Sequence, residues 1–368
     1  MTLSIFHHLL YNRRYSHPLS NSFVSNFILS SLTTHPPQHP HLRYTYFILM
    51  LALDRPTFCS VQNRRSYRKP TERKPHFSLP LVPPTTKPTT NDDITIDDLE
   101  KLVVLGHGNG GTIYKVYHKT TSTTCALKII HGGTDVTTHR RALVEASILR
   151  RATNCPHVVN FYSSFEMPTG DVAILMEYMD GGSLETALAV NGTFSEERLV
   201  TVARDVLDGL AYLHAQNIVH LDIKPANILI NTQGEVKITD FGVSKVMSHT
   251  LEMCNSYVGT CAYMSPERFN SDAYGGEYNG FAADVWSLGL TLLELYVGYF
   301  PLLQEGQRPN WATLMCAICF DEPPSLPETA SPEFRNFVEC CLKKESSERW
   351  TTNQLLNHPF VCKNPKTY

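Results

Sequence analysis

A short run with an aspartate, a lysine and an asparagine at fixed spacing is the part of the chain best suited to chemistry on a phosphate. It reads Val219-His-Leu-Asp-Ile-Lys-Pro-Ala-Asn227. Asp222 can orient a hydroxyl group and accept its proton, and Lys224 can neutralise charge on a transferring phosphoryl group. Asn227, together with Asp240 in a later Asp-Phe-Gly, supplies oxygens that suit Mg²⁺, a hard cation usually shared with substrate phosphates. These residues predict phosphoryl transfer.

A glycine-rich segment lies upstream, between two predicted strands. It reads Gly106-His-Gly108-Asn-Gly-Gly111-Thr-Ile113. Glycines allow backbone amides to approach phosphate oxygens closely, which a side chain would prevent. A plain turn is the alternative for these glycines taken alone. The strand predicted after them argues against a Rossmann unit, which needs a helix there.

A lysine and a glutamate complete the candidate nucleotide site. Lys128 lies on the next predicted strand, in Cys-Ala-Leu-Lys-Ile-Ile, and Glu145 lies on a predicted helix. A half-buried lysine needs a counterion, and the glutamate can supply it while the ammonium binds phosphate oxygens. Either residue alone is typical of a solvated surface. Their order after the glycine segment favours an ion pair.

The pattern of apolar residues predicts a β-rich lobe followed by a helical lobe, and hence an α+β fold class. Strand-like runs cover 102–105, 113–117, 125–130, 158–165 and 172–177, and a helical patch at 140–150 interrupts them. Beyond Gly182 helical spacing dominates, with Ser195 as a predicted N-cap. Further helices are predicted at 283–296, 311–319, 332–342 and 352–357.

The ordered motifs together resemble the eukaryotic protein kinases. The resemblance implies a bilobal kinase fold, with a β-rich N-lobe and a helical C-lobe. It divides the chain into an N-terminal extension at 1–98, expected to be mostly disordered, a kinase domain at 99–360 and a short tail at 361–368. It also implies ATP and Mg²⁺ as cofactors, an ion pair between Glu267 and Arg349, and Asp284 as a brace for the catalytic loop.

The resemblance assigns roles to named residues. Nucleotide binding falls to Leu105, Gly106, His107, Gly108, Asn109, Gly110, Gly111, Ile113, Ala126, Lys128, Glu145, Met176, Glu177, Met179 and Asn227. Met176 is the implied gatekeeper, and Glu177 and Met179 are implied to present backbone groups to adenine. The implied catalytic residues are Lys128, Asp222 and Lys224, and the implied metal ligands are Asn227 and Asp240.

Two further stretches narrow the resemblance to the mitogen-activated protein kinase kinases. They are MEYMDGGSL at 176–184 and VGTCAYMSPER at 258–268. Thr250 and Ser256, with five residues between them, resemble the activation sites of the plant members. The implied enzyme is a dual-specificity kinase that phosphorylates Thr and Tyr in the activation loop of a mitogen-activated protein kinase. An upstream kinase kinase kinase is implied to activate it at Thr250 and Ser256.

The N-terminal arm differs sharply in charge from the rest of the chain. Residues 1–90 hold eleven Lys and Arg against two acids, a charge of +9, whereas the other 278 residues carry 21 against 33, a charge of −12. Arg73-Lys74 followed by Leu79-Pro-Leu81 is similar to the docking motif by which these kinases hold their substrate kinase. A nucleic-acid partner is not expected, because aromatic residues are not regularly interleaved and the acidic body would repel phosphate.

Composition also bears on location. The first 53 residues lack Asp and Glu and are rich in Ser, His and Asn. A transit peptide is one interpretation, and a start codon assigned upstream of the true one, near Met50, is the one we favour. The ten cysteines are expected to be reduced thiols, and no apolar run approaches the ~20 residues of a membrane helix. We expect a cytoplasmic protein, with the nucleus as a second location, and no stable membrane association.

Leu221 departs from the kinase pattern. Many kinases carry an arginine here that pairs with the phosphorylated activation loop. Because that arginine transfers no proton and binds no metal, we expect catalysis to persist with a weaker activation clamp. The alternative is a weakly active kinase or a pseudokinase scaffold of the same cascade, against which the presence of Lys128, Asp222 and Asp240 argues.

Overall fold

The computed structural model describes residues 94–108, 111–246, 261–270, 278–303 and 310–362. Within these ranges the chain forms a five-stranded antiparallel sheet with one helix, followed by a mainly helical part, so the bilobal α+β prediction is confirmed. Several predicted features lie outside the described residues. They are the extension up to residue 93 with Arg73, Lys74, Leu79 and Leu81, the loop residues Asn109 and Gly110, the activation sites Thr250 and Ser256, and the tail from 363.

The N-lobe sheet has the strand order β1-β2-β3-β5-β4. Its strands are β1 (Leu99–Gly108), β2 (Gly111–His118), β3 (Thr123–Ile130), β4 (Phe161–Glu166) and β5 (Val172–Glu177). The helix α1 (Val136–Ala152) begins at Asp135, whose carboxylate accepts the Thr137 amide. β4 starts at Phe161 rather than at the predicted 158, because Val158 is fully buried and forms a lone bridge to Ile238 instead.

The C-lobe is helical and carries two short two-stranded sheets. The helices are α2 (Leu184–Asn191), α3 (Glu196–Ala215), α4 (Pro266–Phe269), α5 (Gly280–Val297), α6 (Trp311–Met315), α7 (Pro332–Cys341), α8 (Thr352–Leu356) and α9 (Pro359–Cys362), and a π-helix (Cys316–Phe320) continues α6. In these sheets β6 (Ile218–Val219) pairs with β9 (Lys245–Val246), and β7 (Ile228–Ile230) pairs with β8 (Val236–Ile238). Ser195 caps α3 as predicted, its hydroxyl accepting the Arg198 amide.

Helix α5 is the apolar centre of the C-lobe. It is long and apolar enough to cross a membrane by length and composition, yet 78% of it is buried inside the fold. The sequence shows no unbroken apolar run here, because Asp284, Ser287 and Thr291 interrupt the apolar residues. Those three side chains are buried too, so the helix carries polar groups into the core close to the candidate site.

A buried ion pair anchors α4 beside α5. The Arg349 guanidinium binds both carboxylate oxygens of Glu267, at 2.6 and 2.7 Å, and also donates to the Ala282 carbonyl at 3.1 Å. Neither charged side chain is more than 2% exposed. The pair predicted between Glu267 and Arg349 is therefore confirmed. Residues 261–265 separate α4 from the segment 247–260, so the pair fixes the backbone shortly after that segment.

Packing extends beyond the predicted domain bounds at both ends. Ile94 and Ile96 pack against the core of the N-lobe sheet. At the other end, Arg204 donates to the Val361 carbonyl at 2.6 Å, and Val361 is buried. The predicted bounds at 99 and 360 therefore fall inside packed structure.

Eight cysteines lie in the described ranges, and five of them are buried. Two of them, Cys316 and Cys319, form a Cys-x-x-Cys pair that was not recognised in the sequence. Burial raises the pKa of the Cys319 thiol to about 11, so this thiol stays protonated at neutral pH. No cluster of three or more His, Cys, Asp or Glu side chains suited to a metal occurs in the described part of the chain.

Candidate active site

The ammonium of Lys128 lies between two carboxylates. Its Nζ is 2.6 Å from Glu145 Oε1 and 2.8 Å from Asp240 Oδ1. The predicted pair with Glu145 is confirmed, and the contact with Asp240 is a second partner that the sequence did not reveal. Strand β3, helix α1 and the turn after β8 each contribute one of the three side chains.

Attraction between opposite charges favours the ionised forms of Lys128 and Asp240. Burial alone would lower the pKa of Lys128, but the carboxylates of Asp240 and Glu145 outweigh it and raise that pKa. Burial alone would raise the pKa of Asp240, yet the Lys128 ammonium lowers it. For Glu145 burial dominates and its pKa stays raised. Asp240 is thus the carboxylate that the lysine holds most firmly as an anion.

The structure brings Asp222, Lys224 and Asn227 together. Lys224 Nζ lies 2.9 and 3.1 Å from the two Asp222 carboxylate oxygens. Asn227 Nδ2 donates to the carboxylate of Asp222 at 2.8 Å and to its carbonyl at 2.9 Å. Since the amide nitrogen of Asn227 makes both bonds, its oxygen is the atom available to a cation. The Asp222 side chain is oriented from two sides within its own loop.

The peptide groups of Thr239 join this loop to Asp240. The Thr239 amide donates to the Asn227 carbonyl at 3.0 Å, and the Thr239 carbonyl accepts His220 Nε2 at 3.0 Å. The other ring nitrogen, His220 Nδ1, accepts the Asp222 amide at 3.2 Å. A carbonyl can only accept and an amide can only donate, so His220 is neutral with its proton on Nε2. This role was missed in the sequence, although the position two residues before Asp222 was its signal.

Asp284 holds the backbone of the same loop. Its carboxylate accepts the His220 amide at 2.9 Å, the Leu221 amide at 2.6 Å and His214 Nε2 at 2.9 Å. Burial would raise the pKa of this fully buried carboxyl, but its hydrogen bond and charge interaction with His214 lower it. The predicted brace is confirmed.

Leu221 fills an apolar cluster rather than a solvent-facing position. Its side chain is 3% exposed and packs with Val219 and Ala283. Its φ is +66°, in the left-handed region. Its carbonyl accepts Arg268 Nη1 at 2.7 Å, a contact not anticipated from the sequence.

Several residues predicted to contact adenine also take part in strand pairing and hydrogen bonds within the fold. Ala126 and Met176 are paired in the register of β3 and β5, and both are buried. The Glu177 amide donates to the Asn160 carbonyl at 2.9 Å, and the Glu177 carboxylate binds Lys237 at 2.8 and 2.9 Å. The Glu177 carbonyl is therefore the backbone group of this residue that remains for the predicted contact with adenine. The Met179 carbonyl accepts the Gly182 amide at 3.3 Å, which leaves the Met179 amide as the predicted hinge donor.

Gly111 and Gly106 differ in what a side chain at their position would contact. A Cβ at Gly111 would lie 2.4 Å from the Ile129 carbonyl oxygen, so close packing of β2 on β3 requires this glycine. A Cβ at Gly106 would meet nothing within 4 Å, so the space beside it is open. Ile113, by contrast, is paired with Lys128 across β2 and β3. The remaining predicted loop residues flank this space: Leu105 is exposed, His107 Nδ1 lies 3.3 Å from the Thr112 hydroxyl, and Gly108 pairs with Gly111.

Comparison with known proteins gives a consistent family. The protein kinase domain model matches residues 99–361. Mitogen-activated protein kinase kinase 9 of Arabidopsis thaliana is 58% identical over 75% of this chain and 88% of its own length. Mitogen-activated protein kinase kinase 7 of the same plant is 56% identical over 75% and 89%. Mitogen-activated protein kinase kinase SIPKK of Nicotiana tabacum is 40% identical over 76% and 78%.

Replacing Lys128 by Met should make stability depend on pH in a new way. In the wild type the pKa of Asp240 is lowered, so its stabilising contribution is full above the ordinary carboxyl pKa and is lost as the pH falls below it. In Lys128→Met two buried carboxylates lack their cation, so their pKa values rise and protonation at low pH relieves the repulsion. The free energy of unfolding should drop by about 3 kcal/mol at neutral pH and by less near pH ~5.

Urea unfolding at the two pH values measures this difference. Lys343→Met, which breaks the exposed Lys343–Glu339 pair, is the matched control and should change little at either pH. A loss in Lys128→Met that is equal at both pH values would contradict the charge-based explanation.

Proposed function

The chain belongs to the protein kinase family and, within it, to the mitogen-activated protein kinase kinases, and we propose that it transfers the γ-phosphoryl group of ATP to Thr and Tyr in the activation loop of a mitogen-activated protein kinase. It is a dual-specificity protein kinase by family. The observation that carries the proposal is the pair of linked clusters, Lys128 with Glu145 and Asp240, and Asp222 with Lys224 and Asn227.

The chemistry of the donors fits ATP and Mg²⁺. Asn227 and Asp240 offer an amide oxygen and a carboxylate, which are hard ligands, and the peptide of Thr239 ties the two residues together. Two protein ligands suit a cation that completes its shell with phosphate oxygens and water. When bound, Mg²⁺ and ATP supply the neutralised, transferable phosphoryl group. Lys128 is the cation proposed to hold the phosphates, and the amide of Met179 is a proposed hinge donor.

Asp222 is the proposed base. Its carboxylate is held by Lys224 and Asn227 in one orientation, so it can accept the proton of an incoming hydroxyl while Lys224 stabilises the charge on the phosphoryl group. Holding the base before the substrate arrives removes part of the entropic barrier.

Asp222→Asn tests this role. The substitution should lower kcat by roughly 10² or more, since a general base contributes about that factor, while ATP affinity persists because the Lys128 cluster is unchanged. Steady-state phosphorylation of a catalytically inactive mitogen-activated protein kinase, together with nucleotide-binding titration, measures both quantities. Asp171→Asn, on the β4–β5 turn, is the matched control. Wild-type activity no greater than that of Asp222→Asn would support the scaffold alternative that Leu221 suggests.

We further propose that an upstream kinase kinase kinase activates the protein at Thr250 and Ser256. The support is their place between Asp240 and Glu267, two residues held by ion pairs, so that order in the intervening segment bears directly on the site. Phosphate adds two negative charges at most and needs a cation to order a segment.

Acidic replacement of Thr250 and Ser256 together should raise activity modestly, because Leu221 offers the charge no partner. Adding Leu221→Arg should increase the response, at the expense of stability, because the side chain leaves the cluster with Val219 and Ala283. Activity before and after treatment with an activating kinase, with thermal unfolding alongside, measures this. Leu221→Met conserves volume and is the control. An equal response in Leu221→Arg and Leu221→Met would mean that another cation already serves the segment.

The third proposal is that the N-terminal arm holds the substrate kinase. Arg73 and Lys74 offer charge to an acidic patch, and Leu79 and Leu81 offer apolar contact, in an arm of opposite charge to the acidic catalytic part. A tethered motif raises the local concentration of its partner without touching the chemistry.

Ala replacement of Arg73 and Lys74, or of Leu79 and Leu81, should therefore raise KM for the substrate kinase and leave kcat and KM for ATP unchanged. The charge pair should lose its effect at high salt, whereas the leucine pair should keep it. Kinetics at low and high salt measure both. A KM for the substrate kinase equal to that of wild type in both variants would reduce the arm to a linker.

A further inference from the structure

A guanidinium from outside the catalytic loop reaches the peptide group next to Asp222. Arg268 Nη1 donates to the Leu221 carbonyl at 2.7 Å. Arg268 belongs to α4, which follows the segment that carries Thr250 and Ser256, and is 47 residues away from Leu221 in sequence. Its guanidinium also lies 6.0 Å from the centre of the Tyr278 ring, and Tyr278 packs against the cluster that buries Leu221.

This contact completes the fixation of one peptide unit. The unit joins Leu221 to Asp222: its oxygen accepts Arg268, and its N–H donates to His220 Nδ1 at 3.2 Å. The φ of +66° at Leu221 is uncommon for a residue with a Cβ and persists only where the surroundings enforce it. Two hydrogen bonds hold Leu221 in this conformation: its amide donates to Asp284, and its carbonyl accepts from Arg268.

The backbone that carries Arg268 is held in place by its neighbours. The preceding residue, Glu267, is locked by Arg349 in the buried two-point ion pair, and the Arg268 amide donates to the Ser265 carbonyl at 3.1 Å. A guanidinium on a fixed backbone positions its partner more accurately than a long side chain on a loop does, because little freedom is lost when its hydrogen bond forms. Its position therefore follows that of α4.

We propose that Arg268 is a positioning residue for Asp222, holding the Leu221 carbonyl and with it the backbone from which the base projects. The inference rests on the proposed function, in which Asp222 accepts the proton of the substrate hydroxyl. Position 221 holds a leucine instead of an arginine, so the catalytic loop supplies no cation there. The cation that links this loop to the end of the activation segment is instead Arg268, which follows that segment in sequence. The link runs through the backbone of position 221 and does not need its side chain.

Loss of Arg268 should affect turnover and leave nucleotide binding intact. Without the guanidinium, the peptide before Asp222 keeps one of its two hydrogen bonds, so the base departs from its productive geometry. Misplacement of this kind lowers kcat by roughly 10- to 100-fold. KM for ATP should stay unchanged, because Lys128, Glu145 and Asp240 keep their contacts with one another.

The experiment compares the full-length wild type with Arg268→Ala, Arg268→Lys and the control Arg335→Ala, which removes an exposed arginine on α7. Phosphorylation of a catalytically inactive mitogen-activated protein kinase gives kcat and KM for ATP, and thermal unfolding gives the folded fraction. We expect a reduced kcat in Arg268→Ala, an intermediate kcat in Arg268→Lys, which keeps one donor, and no change in Arg335→Ala. Millimolar guanidinium should restore part of the turnover in Arg268→Ala alone, a rescue that lost packing would not give.

If the wild type is active and Arg268→Ala keeps its kcat, the inference is overturned and the proposed function stands. The same holds if the unfolded fraction of Arg268→Ala wholly explains its loss of activity. An inactive wild type would overturn both. Should Arg268→Ala not fold, Arg268→Lys decides in its place: a lower kcat with unchanged KM for ATP supports the inference, and an unchanged kcat overturns it.

Discussion

A single buried carboxylate fixes the backbone on which the catalytic residues depend. Asp284 lies in the core helix α5 and accepts two consecutive loop amides and one histidine, without any contact with solvent. Leaving those acceptor sites empty in the core would be costly, so the loop is tied to the most buried helix of the C-lobe. The order imposed there passes through His220 to the peptide of Thr239 and on to Asp240. The loop that carries Asp222 thus has one geometry because α5 has one packing.

The second constraint joins the two lobes. Lys128 in the sheet, Glu145 on α1 and Asp240 after β8 form one charge cluster, in which Lys128 and Glu145 are buried and Asp240 is partly buried. A shift of α1 would separate the buried Glu145 carboxylate from Lys128 and leave it without its cation, which is unfavourable. Such an arrangement is well suited to regulation, because a small force on one element changes the electrostatics of the whole site.

The sequence predicted those parts of the fold and site that depend on local pattern. The five strands of the sheet, the N-cap Ser195 and five C-lobe helices, α3, α5, α6, α7 and α8, follow from local pattern, and the site residues follow from motif order. The short helices α2, α4 and α9 were not predicted. The other parts that the sequence did not predict arise where distant segments meet. The contact of Asp240 with Lys128 spans 112 residues, and that of Arg268 with Leu221 spans 47. The tautomer of His220 is set by two backbone groups whose positions no spacing reveals, and burial, not sheet pairing, explains the apolar residue Val158.

In our proposal, Leu221 changes how activation is transmitted and leaves the chemistry intact, since every group proposed for proton and phosphoryl transfer is present. The central claim is that this site transfers phosphate with dual specificity. Labelling a catalytically inactive mitogen-activated protein kinase with ATP radioactive at the γ position, followed by phosphoamino-acid analysis, tests it most directly. Our account predicts label on both threonine and tyrosine that requires Mg²⁺. Label on neither residue from the purified, folded protein would contradict it.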